Sequence, residues 1–201
     1  MKKDKELACY EAIVTLLKQG KTVSDLTVAD IAREAGMGKG TVYDYFTTKD
    51  EIVSKALVFY VQQWVHKARL AVQQTTGFDR RVDAYLQAAD EASAFGMPIF
   101  DALTGTGITM VGDLNAYINV REFRDRLKME IRILLEEIRK AAKRERILRR
   151  GVPEAAAHFV ISGCFASYLV YTHLDAMQVG FTKEEARKQV LRSLKVSLAS
   201  L

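Results

Sequence analysis

The chain has 201 residues, of which 49% are hydrophobic, and its formal net charge is +5. This length suits one compact domain or two small ones, and the hydrophobic share is sufficient to bury a core. The chain holds only two prolines, is rich in helix-forming residues and shows no sustained alternation of apolar and polar residues, so it predicts an all-α protein and gives no support to a β-sheet.

The start of the chain, MKKDKELACYEA, is basic but lacks the apolar stretch of a secretory signal. Cys9 and Cys164 are far apart, which favours reduced thiols over a disulfide framework. His66, His158 and His173 show no metal-ligand spacing. We therefore expect a cytoplasmic protein with no metal and no cofactor.

The first predicted helix covers about residues 5–19, and two short helices follow between Thr27 and Phe46. Thr27 with Asp30 has the spacing of a helix N-cap, because a hydroxyl there accepts a bond from an early backbone N–H. Gly36 ends that helix where a left-handed residue is usually needed. The segment therefore reads as helix, tight turn, helix.

The second short helix has Val42 and Phe46 as apolar anchors four residues apart. Four side chains around these anchors have little reason to be buried together. They are Lys39, Thr41, Tyr43 and Tyr45. An ammonium, a hydroxyl and two phenols on a short exposed helix suit DNA phosphates and base edges.

At these residues the chain resembles the N-terminal DNA-binding domain of the tetracycline-repressor (TetR) family of bacterial transcription regulators. The resemblance covers roughly residues 5 to 60, and beyond them only the helical layout is compatible. It rests on Thr27, Ile31-Ala32, Ala35-Gly36, Lys39-Gly40-Thr41-Val42-Tyr43, Tyr45-Phe46 and Lys49.

The resemblance implies about nine helices in two domains, with residues 1–48 binding DNA and residues 49–201 binding an effector and forming a homodimer. Double-stranded operator DNA, a small molecule and a second copy of the chain are the implied partners, with no membrane. The implied DNA-binding residues are Thr27, Lys39, Gly40, Thr41, Tyr43, Tyr45 and Lys49. Among these, Lys39, Thr41 and Tyr43 border the major groove and Thr27, Tyr45 and Lys49 hold phosphates.

Two residues depart from the family pattern. Gly38 stands where a side-chain cap is frequent, and Asp44 places a negative charge in the recognition helix, either facing solvent or accepting from a cytosine amino group. Residues 1–50 carry eight basic and eight acidic residues, so the DNA-binding case depends on where Lys39 and Lys49 lie and not on net charge.

A long helix without proline or glycine is predicted from Lys49 to about Gln74, and another follows from residues 78 to 94. The region from Gly96 to Gly112 is rich in helix breaks. Aromatic and methionine side chains of this part are either core residues or the lining of an effector cavity. They are Trp64, Tyr85, Phe95, Met97, Phe100, Met110 and Tyr117. The absence of clustered charge among them favours an apolar or aromatic effector.

The excess of positive charge lies within residues 121–150, especially in the sequence KAAKRERILRR. We interpret this run as the solvated face of a helix from Asn119 to about Arg149, and a second nucleic-acid patch is the alternative.

Residues 155–174 contain no charged side chain other than histidine and are long enough to span a bilayer. Their histidines, serines and threonine favour instead a helix buried against others. With the apolar stripe of the last helix, this segment predicts a dimer interface. Its residues are Phe159, Gly163, Ala166, Ser167, Val170, Val190, Leu191, Leu194 and Leu198.

The sequence thus predicts a ligand-responsive, DNA-binding regulator, acting as a repressor on a palindromic operator. A helical binding protein that no longer recognises an operator is the second reading, which the neutral charge of residues 1–50 supports. An enzyme ranks last, because no His, Cys or carboxylate set has catalytic spacing.

Overall fold

The computed structural model describes residues 2–93, 116–173, 180 and 182–201, and all regular secondary structure in these ranges is helical. The all-α prediction is confirmed, and the eight helices of the described ranges are close to the nine expected. They are α1 (Lys2–Lys18), α2 (Val28–Glu34), α3 (Lys39–Tyr43), α4 (Lys49–Gln74), α5 (Phe78–Ser93), α6 (Val120–Arg144), α7 (Glu154–His173) and α8 (Lys183–Ser200).

The helices group into two compact units. Unit 1 contains the described residues 2–62 and 116–124, and unit 2 contains the described residues from 63 to 93 and from 125 onward. Helices α4 and α6 each contribute residues to both units. The domain boundary expected after residue 48 stays a prediction.

The turns of unit 1 follow from capping chemistry. Thr27 is the N-cap of α2 and accepts a hydrogen bond from the Asp30 N–H at 3.1 Å. Gly36 adopts φ 65°, and its N–H and that of Met37 donate to Arg33 and Ala32 at 3.2 and 2.9 Å. This pair of bonds is a Schellman motif, which satisfies carbonyls that the helix end would leave without partners.

The core of unit 1 joins α1, α2, α3 and the start of α4. Ile31, Val42 and Ile52 are fully buried, and the Phe46 side chain is 2% exposed. The Tyr10 ring lies beside the Phe46 ring, with 6.0 Å between centroids. These contacts hold the short helix α3, which at five residues is far too short to be stable alone.

Unit 2 is built around α7, which packs against α8 and α5. The Tyr85 and Phe165 rings stack with centroids 3.6 Å apart. The Tyr168 hydroxyl donates to Asp90 at 2.8 Å, and the Arg187 guanidinium binds the other oxygen of that carboxylate at 2.5 Å. The buried tyrosine is thus satisfied by a charged pair that joins α5, α7 and α8.

The C-terminal end of α6 differs from the expectation. We predicted helix to about Arg149, whereas α6 ends at Arg144 and Arg146 adopts φ 59°. The Arg146 and Ile147 N–H groups donate to Lys143 and Ala142 at 3.3 and 2.9 Å. This is again a Schellman motif, with an arginine at the left-handed position instead of the usual glycine, and that substitution concealed the helix end in the sequence.

Candidate nucleic-acid interface

Helix α3 presents a short polar face on a buried apolar anchor. Its N-cap is Gly38, which makes no side-chain capping bond, as the sequence indicated. Val42 is fully buried, which fixes how the helix rotates about its axis. The side chains around Val42 therefore have defined directions, and Lys39, Gly40, Tyr43 and Asp44 are exposed.

Lys39 and Tyr43 form a pair on the exposed face of α3. The Lys39 ammonium lies 5.8 Å from the centre of the Tyr43 ring, and the tyrosine side chain is 49% exposed. An i, i+4 cation–π contact in water contributes only about 0.5–1 kcal/mol. The pair is consequently a weakly held donor and phenol, free to turn toward base edges or phosphates.

Gly40 lies inside α3 with open space above it. A Cβ built on Gly40 meets no heavy atom within 4 Å. A glycine in a helix costs about 0.5–1 kcal/mol relative to alanine, so packing within the chain does not account for this residue. The glycine instead leaves the backbone of α3 open to close approach from outside.

Thr41 and Tyr45 are only partly exposed. The Lys5 ammonium of α1 lies 5.9 Å from the centre of the Tyr45 ring, a contact that sequence reasoning missed. Lysines near the start of α1 carried no local pattern that would have linked them to α3. Lys5 therefore places a positive charge beside Tyr45 in unit 1.

Lys49, predicted to bind phosphate, has partners within unit 1. Its ammonium donates to the Val23 carbonyl at 3.2 Å and to the Ser24 carbonyl at 3.4 Å. These bonds fasten the loop before α2 to the start of α4. An ammonium has three protons, so a phosphate contact remains compatible with this geometry.

Thr27 and Asp30 belong to a charged cluster at the start of α2. The Thr27 hydroxyl donates to Asp30 at 2.8 Å, and Lys21 and Arg33 bind the same carboxylate at 2.9 and 2.8 Å. The bonds from Lys21 and then Thr27 lower the pKa of Asp30 to about 2. The cluster keeps Asp30 ionised at the positive end of α2, where a negative charge is favourable.

The proposed effector residues fall into three groups. Trp64 and Tyr85 meet in unit 2, with centroids 6.4 Å apart, and the indole N–H donates to the Ala88 carbonyl at 2.7 Å. Tyr117 lies in unit 1, where its hydroxyl accepts from Thr48 at 3.2 Å. Phe95, Met97, Phe100 and Met110 lie outside the described residues, as does the break-rich region from Gly96 to Gly112.

Unit 1 contains an apolar cavity of about 280 Å³ that the sequence did not indicate. Its walls come from α1, α4 and the chain before α6, and include Tyr10, Phe59 and Ile118.

The residues predicted for the dimer interface divide by burial. Leu194 and Leu198 are fully buried inside unit 2, so they stabilise the single chain and leave no area for a partner. The α7 residues face outward: Phe159 is 80% exposed, and Gly163, Ala166 and Ser167 are exposed beside it. The side chains of Val170, Val190 and Leu191 are half-buried.

Gly163 lies in the middle of this outward face. A Cβ built on it meets nothing within 4 Å, so the single chain does not require glycine there. Glycine and other small residues on a helix face permit a second helix to approach closely.

Helix α7 also meets the length and composition of a membrane span from Glu154 to Thr172, with 22% of that segment buried. A core helix of a soluble protein meets the same criteria. Here Ala157, Ile161 and Phe165 recur every four residues on the buried face. The pattern is that of a helix packed on one side against protein.

Residues of metal-ligand type meet in space at Glu136, Glu154 and His158, although the sequence showed no such spacing. The Arg139 guanidinium binds both oxygens of Glu136 at 2.6 and 2.7 Å and is the main cause of the lowered pKa of that carboxyl. A cation would have to displace this arginine. The cluster is therefore an ion-pair network between α6 and α7.

Comparison with known proteins agrees with this geometry. Residues 19–56 match the family model for bacterial regulatory proteins of the tetR family. No curated protein sequence matches the chain. The matched segment contains α2, α3 and the first turns of α4, which are the elements described above.

Solved structures share the fold along nearly the whole chain. A TetR family transcription regulator from Marinobacter aquaeolei VT8 has 16% identity and a TM-score of 0.60, covering 98% of this chain and 96% of its own. FadR from Bacillus subtilis, in complex with stearoyl-CoA, has 13% identity and a TM-score of 0.61, covering 97% and 98%. The ketosteroid regulator KstR2 of Mycobacterium tuberculosis has 17% identity and a TM-score of 0.57, covering 97% and 93%.

Proposed function

We propose that this chain, a member of the TetR family of transcriptional regulators by its N-terminal domain and its fold, is a homodimeric repressor released from its operator by a small effector. Helix α3 is the recognition helix in this proposal. Lys39 and Tyr43 contact base edges or the adjoining phosphates, and Gly40 allows the backbone to come close to DNA.

The exposed Lys39–Tyr43 pair on a helix anchored by a buried Val42 is the observation that carries the proposal. A side chain held only by a cation–π contact turns at little cost when DNA supplies a better partner. Close approach of DNA would also account for the neighbouring Gly40, since nothing within the chain lies within 4 Å of a Cβ built on it.

A homodimer is proposed through the outward face of α7, with Phe159 and Gly163 at its centre. A large apolar ring that is 80% exposed beside a row of small residues favours helix-to-helix packing between two copies. A dimer of this family would place its recognition helices about 34–36 Å apart, and the operator would then be a near-palindrome.

The effector is proposed to be apolar or aromatic. FadR of Bacillus subtilis was solved with stearoyl-CoA, which joins an apolar acyl chain to a charged CoA part, and KstR2 is described as a ketosteroid regulator. Both names point to molecules with a large apolar portion. In this chain the Trp64 and Tyr85 rings lie together in unit 2, and they are the proposed aromatic contacts of the effector. Helix α4 contains Trp64 and begins next to the recognition helix, so it offers a continuous route between the effector and α3.

A direct test measures binding of the purified protein to labelled fragments of the DNA upstream of its own gene. We expect one near-palindromic fragment to bind far more tightly than shuffled DNA of equal length. A thermal-shift screen of apolar molecules then supplies an effector, which should lower operator affinity by roughly 5- to 150-fold.

A binding protein that has lost operator recognition is the alternative, and the equal numbers of basic and acidic residues in positions 1–50 favour it. It predicts that an effector binds while upstream fragments and shuffled DNA bind equally weakly. That result would overturn the repressor proposal.

A further inference from the structure

Unit 2 contains a cleft of about 700 Å³ at the C-terminal end of α6, and its walls are almost entirely basic. Leu148 is the one apolar residue among its described lining residues. The others are Lys140, Lys143, Arg144, Arg146, Arg149 and Arg150. All six are exposed and line the same cleft.

The nearby carboxylates are occupied elsewhere. Glu137 binds Arg81 at 2.6 Å and Lys140 at 3.3 Å, and Glu145 accepts from the Phe78 N–H at 2.7 Å. Apart from Lys140, no lysine or arginine of the cleft forms an ion pair with a carboxylate that the structure describes. The positive charge of the cleft is therefore only partly neutralised within the described parts of the chain.

Arg146 occupies a backbone conformation that favours glycine. Its φ is 59°, and it is the left-handed residue of the Schellman motif that ends α6. The other left-handed residues in the described ranges are all glycines, at positions 20, 36, 77, 151 and 180. An arginine here is less stable than glycine would be, because its Cβ crowds the following carbonyl. The stability of the free chain therefore does not account for an arginine at this position.

The helix dipole accounts for only part of the cluster. Positive side chains in the last turn of a helix interact favourably with its negative end, which covers Lys143 and Arg144. Arg146, Arg149 and Arg150 lie beyond the helix. Six like charges around one cleft also repel one another, so the arrangement lowers the stability of the free protein.

We propose that this cleft binds a small ligand that carries two or more phosphate groups. Guanidinium groups bind phosphate oxygens in bidentate fashion, and several of them around one cavity match the closely spaced charges of a polyphosphate. A concave volume of this size is sufficient to hold a nucleotide-sized molecule. The site is separate from the recognition helix and stands whether or not the operator proposal holds.

Sodium tripolyphosphate is the probe, titrated into the full-length protein by calorimetry at constant ionic strength, with sulfate as the anion control. We expect saturable binding of one tripolyphosphate per chain and weak, non-saturable heats for sulfate. Arg146→Gly and Arg146→Asn should each weaken tripolyphosphate binding by about tenfold, because each removes a charged hydrogen-bond donor. The matched control is Arg192→Gln, an exposed arginine on α8 outside the cleft, which should leave the affinity unchanged.

The melting temperature of the ligand-free protein provides a second measurement, and it should rise in a variant whose affinity for tripolyphosphate falls. Without ligand, Arg146→Gly should raise the melting temperature by roughly 2 °C, because glycine accepts the left-handed conformation and one repelling charge is removed. A merely structural arginine would lose stability on substitution. A fall in the melting temperature of Arg146→Gly would therefore contradict the proposal.

Three binding results would overturn it. The first is that the wild-type protein fails to bind tripolyphosphate. The second is that Arg192→Gln weakens tripolyphosphate binding as much as the Arg146 variants do. The third is that the Arg146 variants keep wild-type affinity for tripolyphosphate but lose affinity for a random 20-base-pair duplex, which would assign the cleft to DNA.

Discussion

Helix α3, the proposed recognition helix, and the basic cleft are both proposed to bind phosphate-bearing partners, yet they are built in opposite ways. Helix α3 lies in a region with equal numbers of basic and acidic residues and exposes one lysine beside one tyrosine. The cleft concentrates six basic residues within positions 140–150 against one acidic residue. Net charge alone would have favoured the cleft as the DNA-binding site, whereas the local geometry favours α3.

The two regions share one property, a residue that lowers local stability without a gain inside the chain. Gly40 weakens a helix where alanine would fit, and Arg146 stands where glycine would be more stable. Such residues are expected where a surface is shaped for a partner. The two residues differ in what they would offer a partner. Gly40 would leave space for DNA to approach the backbone of α3, and Arg146 would offer a positive charge to a phosphate ligand.

The largest expected effect is the loss of the proposed dimer on substitution of Gly163, a residue that faces outward and is not needed for packing within the single chain. Gly163→Arg should leave the single chain folded, since nothing lies within 4 Å of the new Cβ, and should convert the dimer to monomer. Burying an unpaired charge between two helices is very costly. Sedimentation velocity measures the outcome, with Gln87→Arg, exposed on α5, as the control that should stay dimeric. A soluble dimer of Gly163→Arg would place the interface elsewhere.

Gly40→Ala sharpens the comparison at α3, because its two effects should have opposite signs. The variant should gain about 0.5–1 kcal/mol in free energy of unfolding, since alanine is the better helix former. It should lose about tenfold in operator affinity if the Cβ meets the DNA, a difference of about 1.4 kcal/mol. Denaturant unfolding and fluorescence anisotropy measure the two quantities. Unchanged affinity would show that DNA does not approach α3 at Gly40.

Lys49→Ala tests a residue with both an internal and a proposed DNA role. Losing the bonds to Val23 and Ser24 should lower the free energy of unfolding by about 1 kcal/mol. If Lys49 also binds a phosphate, the variant should show a weaker dependence of operator affinity on salt. The slope of log affinity against log salt concentration should be smaller by about 0.9 per subunit. Lys39→Ala is the matched control, expected to weaken DNA binding with a smaller loss of stability, because it removes only an exposed contact with the Tyr43 ring. An unchanged free energy of unfolding in Lys49→Ala would show that its hydrogen bonds to the two carbonyls do not stabilise the chain.

The smallest effect concerns acid stability at the start of α2. The pKa of Asp30 is lowered to about 2 in the folded chain, below the value of about 3.9 expected on unfolding. Its contribution to stability is therefore present above pH 4 and is lost as the pH falls from about 4 to 2. Asp30→Asn should be less stable at neutral pH and should lose less stability over that interval. Melting temperatures across the interval, with Asp44→Asn as control, measure the difference.

Much of this fold was predictable because helix ends have local chemistry. The N-cap at Thr27 was identified from the spacing of its hydroxyl and the Asp30 carboxyl group, and Gly36 marked a helix end. The C-terminal end of α6 was not predictable, since it depends on an arginine in a conformation that sequence rules reserve for glycine.

The candidate sites were predictable only in part. The exposed polar face of α3 follows from its own periodicity. In contrast, the hydrogen bonds of Lys49 to the loop before α2 and the contact of Lys5 with the Tyr45 ring link positions distant in the sequence. The full burial of Leu194 and Leu198 also depends on α7 packing, and a stripe of leucines cannot show which helix covers it.

Recognition of DNA by α3 is the central claim, and the most direct test compares operator affinity among three variants at one salt concentration. Lys39→Ala and Tyr43→Ala remove the exposed pair, and Arg33→Ala removes an exposed cation of α2 that is bound to Asp30. We expect each of the first two to weaken operator binding by about 1–3 kcal/mol and to relax sequence preference, while the folded dimer is retained. Arg33→Ala should change affinity far less. Wild-type affinity in both Lys39→Ala and Tyr43→Ala would contradict the account.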